Sequence, residues 1–162
     1  MHADSPTPVE TTTKHLEEQG IDYELVEHDR ALTAAAEARA AGQEPANAVK
    51  SVLLRDLDGY ELVVLQASDR LDLSKVREQL GGTRTELRLA TEDEMDADFP
   101  QFELGALPPL GEMLPAPEIV DRRVLDHDRV LCNAGDHTHS VLIEPKEIVR
   151  ASNASVADVR ED

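Results

Sequence analysis

An α+β protein, with a mixed and largely antiparallel sheet and helices packed around it, is the fold this sequence predicts. Three observations carry that expectation. Apolar residues recur with period two in several segments, short turns join many of those segments, and helix caps fall between others. The 162 residues show no internal repeat or linker. Residues 1–11 are expected to form a flexible leader and residues 12–162 a single domain large enough to bury a core without disulfides.

In chain order, a short helix is expected over about Thr12 to Gln19, with Gly20 placed to stop it. "IDYELVEH" alternates Ile21, Tyr23 and Leu25 against polar neighbours and reads as a strand. Thr33 then caps an alanine-rich helix, "AAAEARAA", closed by Gly42. "AVKSVLLRDLDGYELVVLQ" follows as a hairpin whose turn pair is Asp58-Gly59. Asp72 is placed to cap "LSKVREQL", which stops at Gly81-Gly82, and "TELRLA" alternates Leu87 and Leu89. "TEDE" from Thr91 matches a capping box for another short helix. After a Gly/Pro-rich loop, "PEIVDRRVL", "DRVLCNAG" and "SVLIEP" read as strands and "PKEIVRAS" as a final helix with Pro145 in its first turn.

Composition narrows the setting. The sole cysteine, Cys132, has no internal partner, no apolar run approaches the ~18 residues of a membrane span, and "MHADSPTPVE" lacks a basic region followed by an apolar one. A cytoplasmic protein without a membrane partner is expected. The 34 acidic residues against 16 basic ones, a net charge of −18, are interspersed rather than gathered in one tail. They suit a folded surface in a high-salt cytoplasm, where screening limits self-repulsion. An ordinary acidic protein remains the alternative.

Two features stand out chemically. Lys50 sits in phase with the aliphatic Ala48, Val52 and Leu54, so its ammonium either snorkels from a strand end or meets a partner absent from the chain. Gly105 and Gly111 bracket Pro108-Pro109, a segment stiff at its centre whose backbone N–H groups could face a carbonyl oxygen or phosphate; a plain connector is the other reading. His137 and His139 have strand-like i, i+2 spacing, with His127, Asp128 and Asp136 nearby, but no distant third ligand announces itself, so no metal is expected. Cys132 lies among aliphatics and reads as core. There is no G-x-S-x-G elbow, Walker loop or dinucleotide fingerprint, and no cofactor is expected.

Taken in order, Glu27-His28, the Thr-Ala-rich helix from Thr33, "AVKSVLLR", "GALPPLG" and "CNAGDHTHSVLIEPKEIVR" resemble the YbaK/prolyl-tRNA synthetase-associated domain family over roughly Thr12 to Arg150. The resemblance implies a sheet curled into a partial barrel and the activity of a trans-editing aminoacyl-tRNA deacylase, which hydrolyses the ester joining a wrong amino acid to tRNA. It implies catalytic roles for Lys50, Gly105, Pro109 and Gly111. It places His28, Thr33, Leu110, Gly135 and Ser140 among substrate-binding residues. The implied partners are the 3′ acceptor end of an aminoacyl-tRNA and an aminoacyl-tRNA synthetase, with Arg70, Lys75, Arg77, Arg122 and Arg123 available to phosphates or to neighbouring carboxylates. Many relatives carry Pro-Phe-Gly where this chain has Pro109-Leu110-Gly111, and some cysteine-specific ones carry an aspartate in the region of Ser140, which bears on the acyl group: alanyl, cysteinyl or seryl, on tRNA-Pro. A noncatalytic tRNA- or synthetase-binding module is the alternative function.

Overall fold

The computed structural model describes residues 6–57, 59–82 and 86–162. Among the described residues, five α-helices and eight strands follow in the order α1 (Pro8–Glu18), β1 (Tyr23–Glu27), α2 (Ala34–Ala40), β2 (Val49–Arg55), β3 (Tyr60–Gln66), α3 (Leu73–Gln79), β4 (Arg88–Leu89), α4 (Glu92–Asp98), β5 (Glu118–Asp121), β6 (Val130–Asn133), β7 (His139–Ile143), α5 (Pro145–Ser152) and β8 (Ser155–Ala157).

The strands form two sheets, ordered β1-β7-β6 and β4-β2-β3-β5-β8. The β1/β7, β6/β7, β2/β3 and β2/β4 pairs are antiparallel; β3/β5 and β5/β8 are parallel. A parallel bridge between Ala48 and Leu131 brings the head of β2 beside β6 and joins the sheets at one corner. Their facing sides share the largest core, where Val49, Leu53, Leu62, Val64 and Val120 of one sheet meet Val130, Cys132, Val141 and Ile143 of the other. The period of two in β2 and β3 sends Leu54 and Val63 to the opposite face, against Val76 of α3. Ala38 of α2 packs with Ala48, Leu131 and Leu142, so α2 covers the outer side of the corner. Its small side chains permit that close approach.

The caps read from sequence are present: Thr33 accepts from the Ala36 N–H, Asp72 from those of Ser74 and Lys75, and Thr91 and Glu94 close a capping box. Helix α1 begins at Pro8 rather than Thr12, taking in the end of the segment read as a leader, because Thr7 and Glu10 form a second capping box with Pro8 in the first turn. In β1, Leu25 is exposed, while Ile21 just before the strand is buried and Tyr23 between them packs against the main core. The expected strand "PEIVDRRVL" stops at Asp121, whose carboxylate accepts from the Arg123 N–H and turns the chain into a 3-10 segment, Arg122–Asp126. Among the described residues of "TELRLA" only Arg88 and Leu89 form ladder pairs, with Leu87 buried and Leu89 exposed. Of the turn pair Asp58-Gly59, Asp58 lies outside the described residues, as does Thr85; the Gly59 N–H donates to the Asp56 carboxylate. Strand β8 has no counterpart in the sequence reading, because three residues supply too short a pattern to recognise.

Candidate functional site

Lys50 lies one residue into β2, opposite Leu65 of β3. It shares its face with Ala48, on the α2 side of the corner, and is half-buried. Loss of hydration lowers its pKa, the Asp69 carboxylate opposes that shift, and the Arg70 guanidinium adds to it. Its ammonium has no hydrogen bond or ion pair among the described residues. The strand therefore presents a desolvated cation with a second cation close by.

Ser51, on the other face of β2, borders a pocket of about 230 Å³. Val52, Leu53, Leu89, Ala90, Met95, Gly105 and Leu107 complete it, so its wall is apolar apart from the serine and the loop backbone. Gly105, one of the lining residues, has φ +81°, a backbone angle that disfavours side chains. Beyond Gly105 the loop turns inward: residues 106–111, including Pro108 and Pro109, are buried, with Leu110 only 1 % exposed in the main core. Leu110 shapes the loop from behind and is absent from the pocket wall. The Ala106 N–H donates to the Glu103 carbonyl and the Gly111 N–H to Glu118 Oε1 at 2.6 Å. Proline has no N–H. The loop donors left for a ligand are those of Gly105, Leu107 and Leu110, which removes Gly111 from the expected set.

What fastens this loop is a histidine first considered as a metal ligand. His137 is buried, with Nε2 2.8 Å from the Leu104 carbonyl and Nδ1 3.1 Å from the Ala31 carbonyl. Its backbone carbonyl accepts from the Ala31 N–H, and its N–H donates to Glu103 Oε1 at 3.0 Å. One side chain thus ties the approach to α2 to the residue before Gly105. Gly135, at φ +106°, has its carbonyl bonded by the Glu103 N–H, and a Cβ there would lie 3.0 Å from Phe102 and from Pro8. Its part is to let this turn close against the loop and α1.

Behind α2 lies a polar cluster in the core. The Ser140 hydroxyl is hydrogen-bonded to Glu37 Oε2 and sits 2.8 Å from His28 Nε2, while His28 Nδ1 is 2.7 Å from the Asp29 carbonyl. Asn133 donates from Nδ2 to Glu37 Oε1 at 3.4 Å. Glu37 is 3 % exposed. Burial raises its pKa to about 7, the Ser140 hydrogen bond pulling the other way and the Asp136 charge pushing further up. Ser140 and His28 are therefore joined to each other rather than turned toward an open pocket. Thr33 is exposed, its hydroxyl occupied as the α2 cap.

Among the described residues no group of three His, Cys, Asp or Glu side chains is placed to hold a metal ion. His127 bonds Gln66, and His139 pairs with Asp136 and Glu27. Cys132 is fully buried, its thiol pushed well up by desolvation, as its aliphatic neighbours suggested. Of the basic residues considered for phosphates, Lys75 pairs with Asp158 and Asp162, Arg123 with Asp121 and Asp158, and Arg77 donates to the Leu87 carbonyl. Glu37 and the clasp role of His137 escaped sequence reasoning. The available signal was a lone carboxylate in an alanine-rich helix.

A profile of the aminoacyl-tRNA editing domain matches residues 28–151. The prolyl-tRNA editing protein ProX of Acetoanaerobium sticklandii is 25% identical over 146 residues, covering 86% of this chain and 87% of that protein. A crystal structure described as a candidate trans-editing enzyme for prolyl tRNA synthetase superposes with a TM-score of 0.83 at 30% identity, over 98% of this chain and 100% of the other. A scaffold protein used for epitope backbone grafting superposes with a TM-score of 0.84 at 28% identity, over 98% and 99% of the two chains.

Proposed function

The chain belongs to the aminoacyl-tRNA editing domain family, and from that premise we propose that it hydrolyses the ester of mischarged tRNA-Pro carrying a small acyl group such as alanyl, cysteinyl or seryl. The observation that carries this reading is the half-buried ammonium of Lys50, which has no hydrogen bond or ion pair among the described residues and feels both Asp69 and Arg70, one residue along β2 from the Ser51 side of the apolar pocket. A cation pair across the strand from an apolar pocket matches a substrate with a phosphate at one end and a small side chain at the other.

Lys50 binds the terminal phosphate or the ester region of the acceptor end, and Arg70 adds to the field that draws it in. The N–H groups of Gly105 and Leu107 are the oxyanion donors when water attacks the ester carbonyl. One such donor supplies about 3 kcal/mol, roughly two orders of magnitude in rate. An aminoacyl ester is already labile, so positioning does most of what remains, and the substrate's own amino or ribose hydroxyl group takes the proton from water. The acyl side chain enters the pocket of about 230 Å³. Leu53, Met95 and Leu107 limit its bulk, and a pocket of this kind excludes excess volume better than it rejects missing volume. Relatives named for prolyl-tRNA editing support tRNA-Pro as the carrier and prolyl-tRNA synthetase as the enzyme whose errors are removed. The acid-rich surface suits work in a salty cytoplasm.

The test incubates the purified protein, in high salt, with tRNAs charged with alanine, cysteine, serine or proline, beside Lys50→Ala. Selective loss of a small acyl ester with the native protein, abolished in a folded Lys50→Ala, is the expected result. Hydrolysis of none of the esters, with tRNA still bound, would replace this reading with that of a noncatalytic binding module.

A further inference from the structure

The buried cluster behind α2 has a proton count that its hydrogen bonds dictate. His28 Nδ1 faces a backbone carbonyl, which only accepts, so Nδ1 carries a hydrogen. Two arrangements then satisfy every contact. In the first, the Glu37 carboxylic acid donates to Ser140 Oγ, the Ser140 hydroxyl donates to a neutral His28 Nε2, and Nδ1–H donates to the Asp29 carbonyl. In the second, His28 Nε2–H donates to Ser140 Oγ and the Ser140 hydroxyl donates to the Glu37 carboxylate. Both hold the same number of protons and interconvert by shifting one proton from Glu37 to Ser140 as the Ser140 proton moves to His28. Remove one proton and Ser140, with a single hydrogen, faces two acceptors. Add one and both neighbours donate to Ser140, whose own hydrogen loses its acceptor.

We propose that Glu37, Ser140 and His28 share one proton in a closed chain, and that this chain makes Glu37 a positioning residue that locks α2 onto β6 and β7 behind the site. The lock connects four separate parts of the fold: α2 through Glu37, β7 through Ser140, the end of β1 through His28, and β6 through Asn133, which donates to the second Glu37 oxygen. The other titratable groups facing the cluster are Asp136, whose charge opposes ionisation of Glu37, and the Cys132 thiol, held neutral by burial. The position of α2 matters to the site because His137 ties its approach, at Ala31, to Leu104 and hence to Gly105. Glu37 touches no substrate; it acts through α2.

The first readout is independent of any activity. Carbon-13 shifts of the Glu37 carboxyl and nitrogen-15 shifts of the His28 ring, followed against pH, are expected to move together at a common midpoint in the native protein. Ser140→Ala removes the hydroxyl that relays the proton and leaves only the direct 3.9 Å approach of His28 Nε2 to Glu37 Oε2, so the midpoint of Glu37 is expected to move away from its native value. Glu37→Gln keeps a donor to Ser140 and leaves His28 neutral with its hydrogen on Nδ1, so it preserves the lock if Ser140→Ala fails to fold. Glu37 titrating as an ordinary carboxylate, apart from His28, in the native protein would overturn the shared proton. The second readout rests on the proposed deacylation. Glu37→Gln retains kcat/KM within about threefold but loses an alkaline decline present in the native enzyme, whereas Glu37→Leu loses tenfold or more. Equal alkaline limbs in native and Glu37→Gln enzymes would overturn the positioning role, and an inactive native enzyme with the shared titration intact would overturn the deacylase reading alone.

Discussion

The Gly111 N–H donates to Oε1 of Glu118 at 2.6 Å, in a buried bond that anchors the far end of the Gly/Pro loop to the first residue of β5. A Cβ on Gly111 would lie 2.5 Å from the Ala116 carbonyl oxygen and 2.9 Å from Glu118 Oε1. Glycine is required here for space, not for an unusual backbone angle.

Gly111→Ala is accordingly expected to destabilise the protein by about 1–3 kcal/mol, the usual cost of forcing volume into a packed interior. Because the obstructing atom is backbone, relief requires the loop itself to move. Urea denaturation measures the loss, and deacylation per folded molecule should fall with it. An unchanged midpoint would show that the loop yields without strain.

Glu118 confers a pH dependence on stability. Burial is the main reason its pKa rises to about 8, with the bond from Gly111 opposing the rise and Glu112 and Glu61 pushing in the same direction as burial. Between its ordinary value of 4.5 and about 8 the native state keeps a proton that the unfolded chain has lost. Unfolding therefore releases a proton, and stability falls as pH rises, by at most about 1.4 kcal/mol per pH unit. Glu118→Gln keeps an acceptor for Gly111 and removes the titration. Urea unfolding at pH 5, 6.5 and 8 should show a flatter profile for the variant, and parallel profiles would exclude Glu118 as the source.

His137→Ala removes the clasp between Ala31 and Leu104. With the buried Ala31 carbonyl and the partly buried Leu104 carbonyl losing a neighbour, a stability loss of about 1–3 kcal/mol is expected. Loss of Gly105 placement should lower deacylation at least tenfold under conditions where the variant remains folded. Full activity in the folded variant would show that the loop holds its position without the imidazole.

Cys132 is 0 % exposed and its thiol pKa lies well above the ordinary range, so the native protein should resist thiol alkylation until it unfolds. Reaction with a maleimide in buffer and in urea, read by mass spectrometry, checks this. Rapid modification of the native form would show an opening of β6.

Much of the local architecture is determined by the sequence alone. Thr33, Asp72 and the Thr91/Glu94 box cap helices where their spacing indicates, because a cap is a contact between residues two or three apart. Period two in "AVKSVLLR" assigns Lys50 to the face of Ala48, since alternation is a property of one strand. The ordered motifs also identify the editing-domain family. Tertiary structure decided the rest: that β3, β5 and β8 run parallel, that the Gly111 amide is held by Glu118 instead of facing a ligand, that His137 joins Ala31 to Leu104, and that Glu37 meets Ser140 in the core. Glu37 and Ser140 are separated by 103 positions. No local pattern encodes such a meeting, because it exists only once two sheets close around a common core and α2 is pressed against their corner.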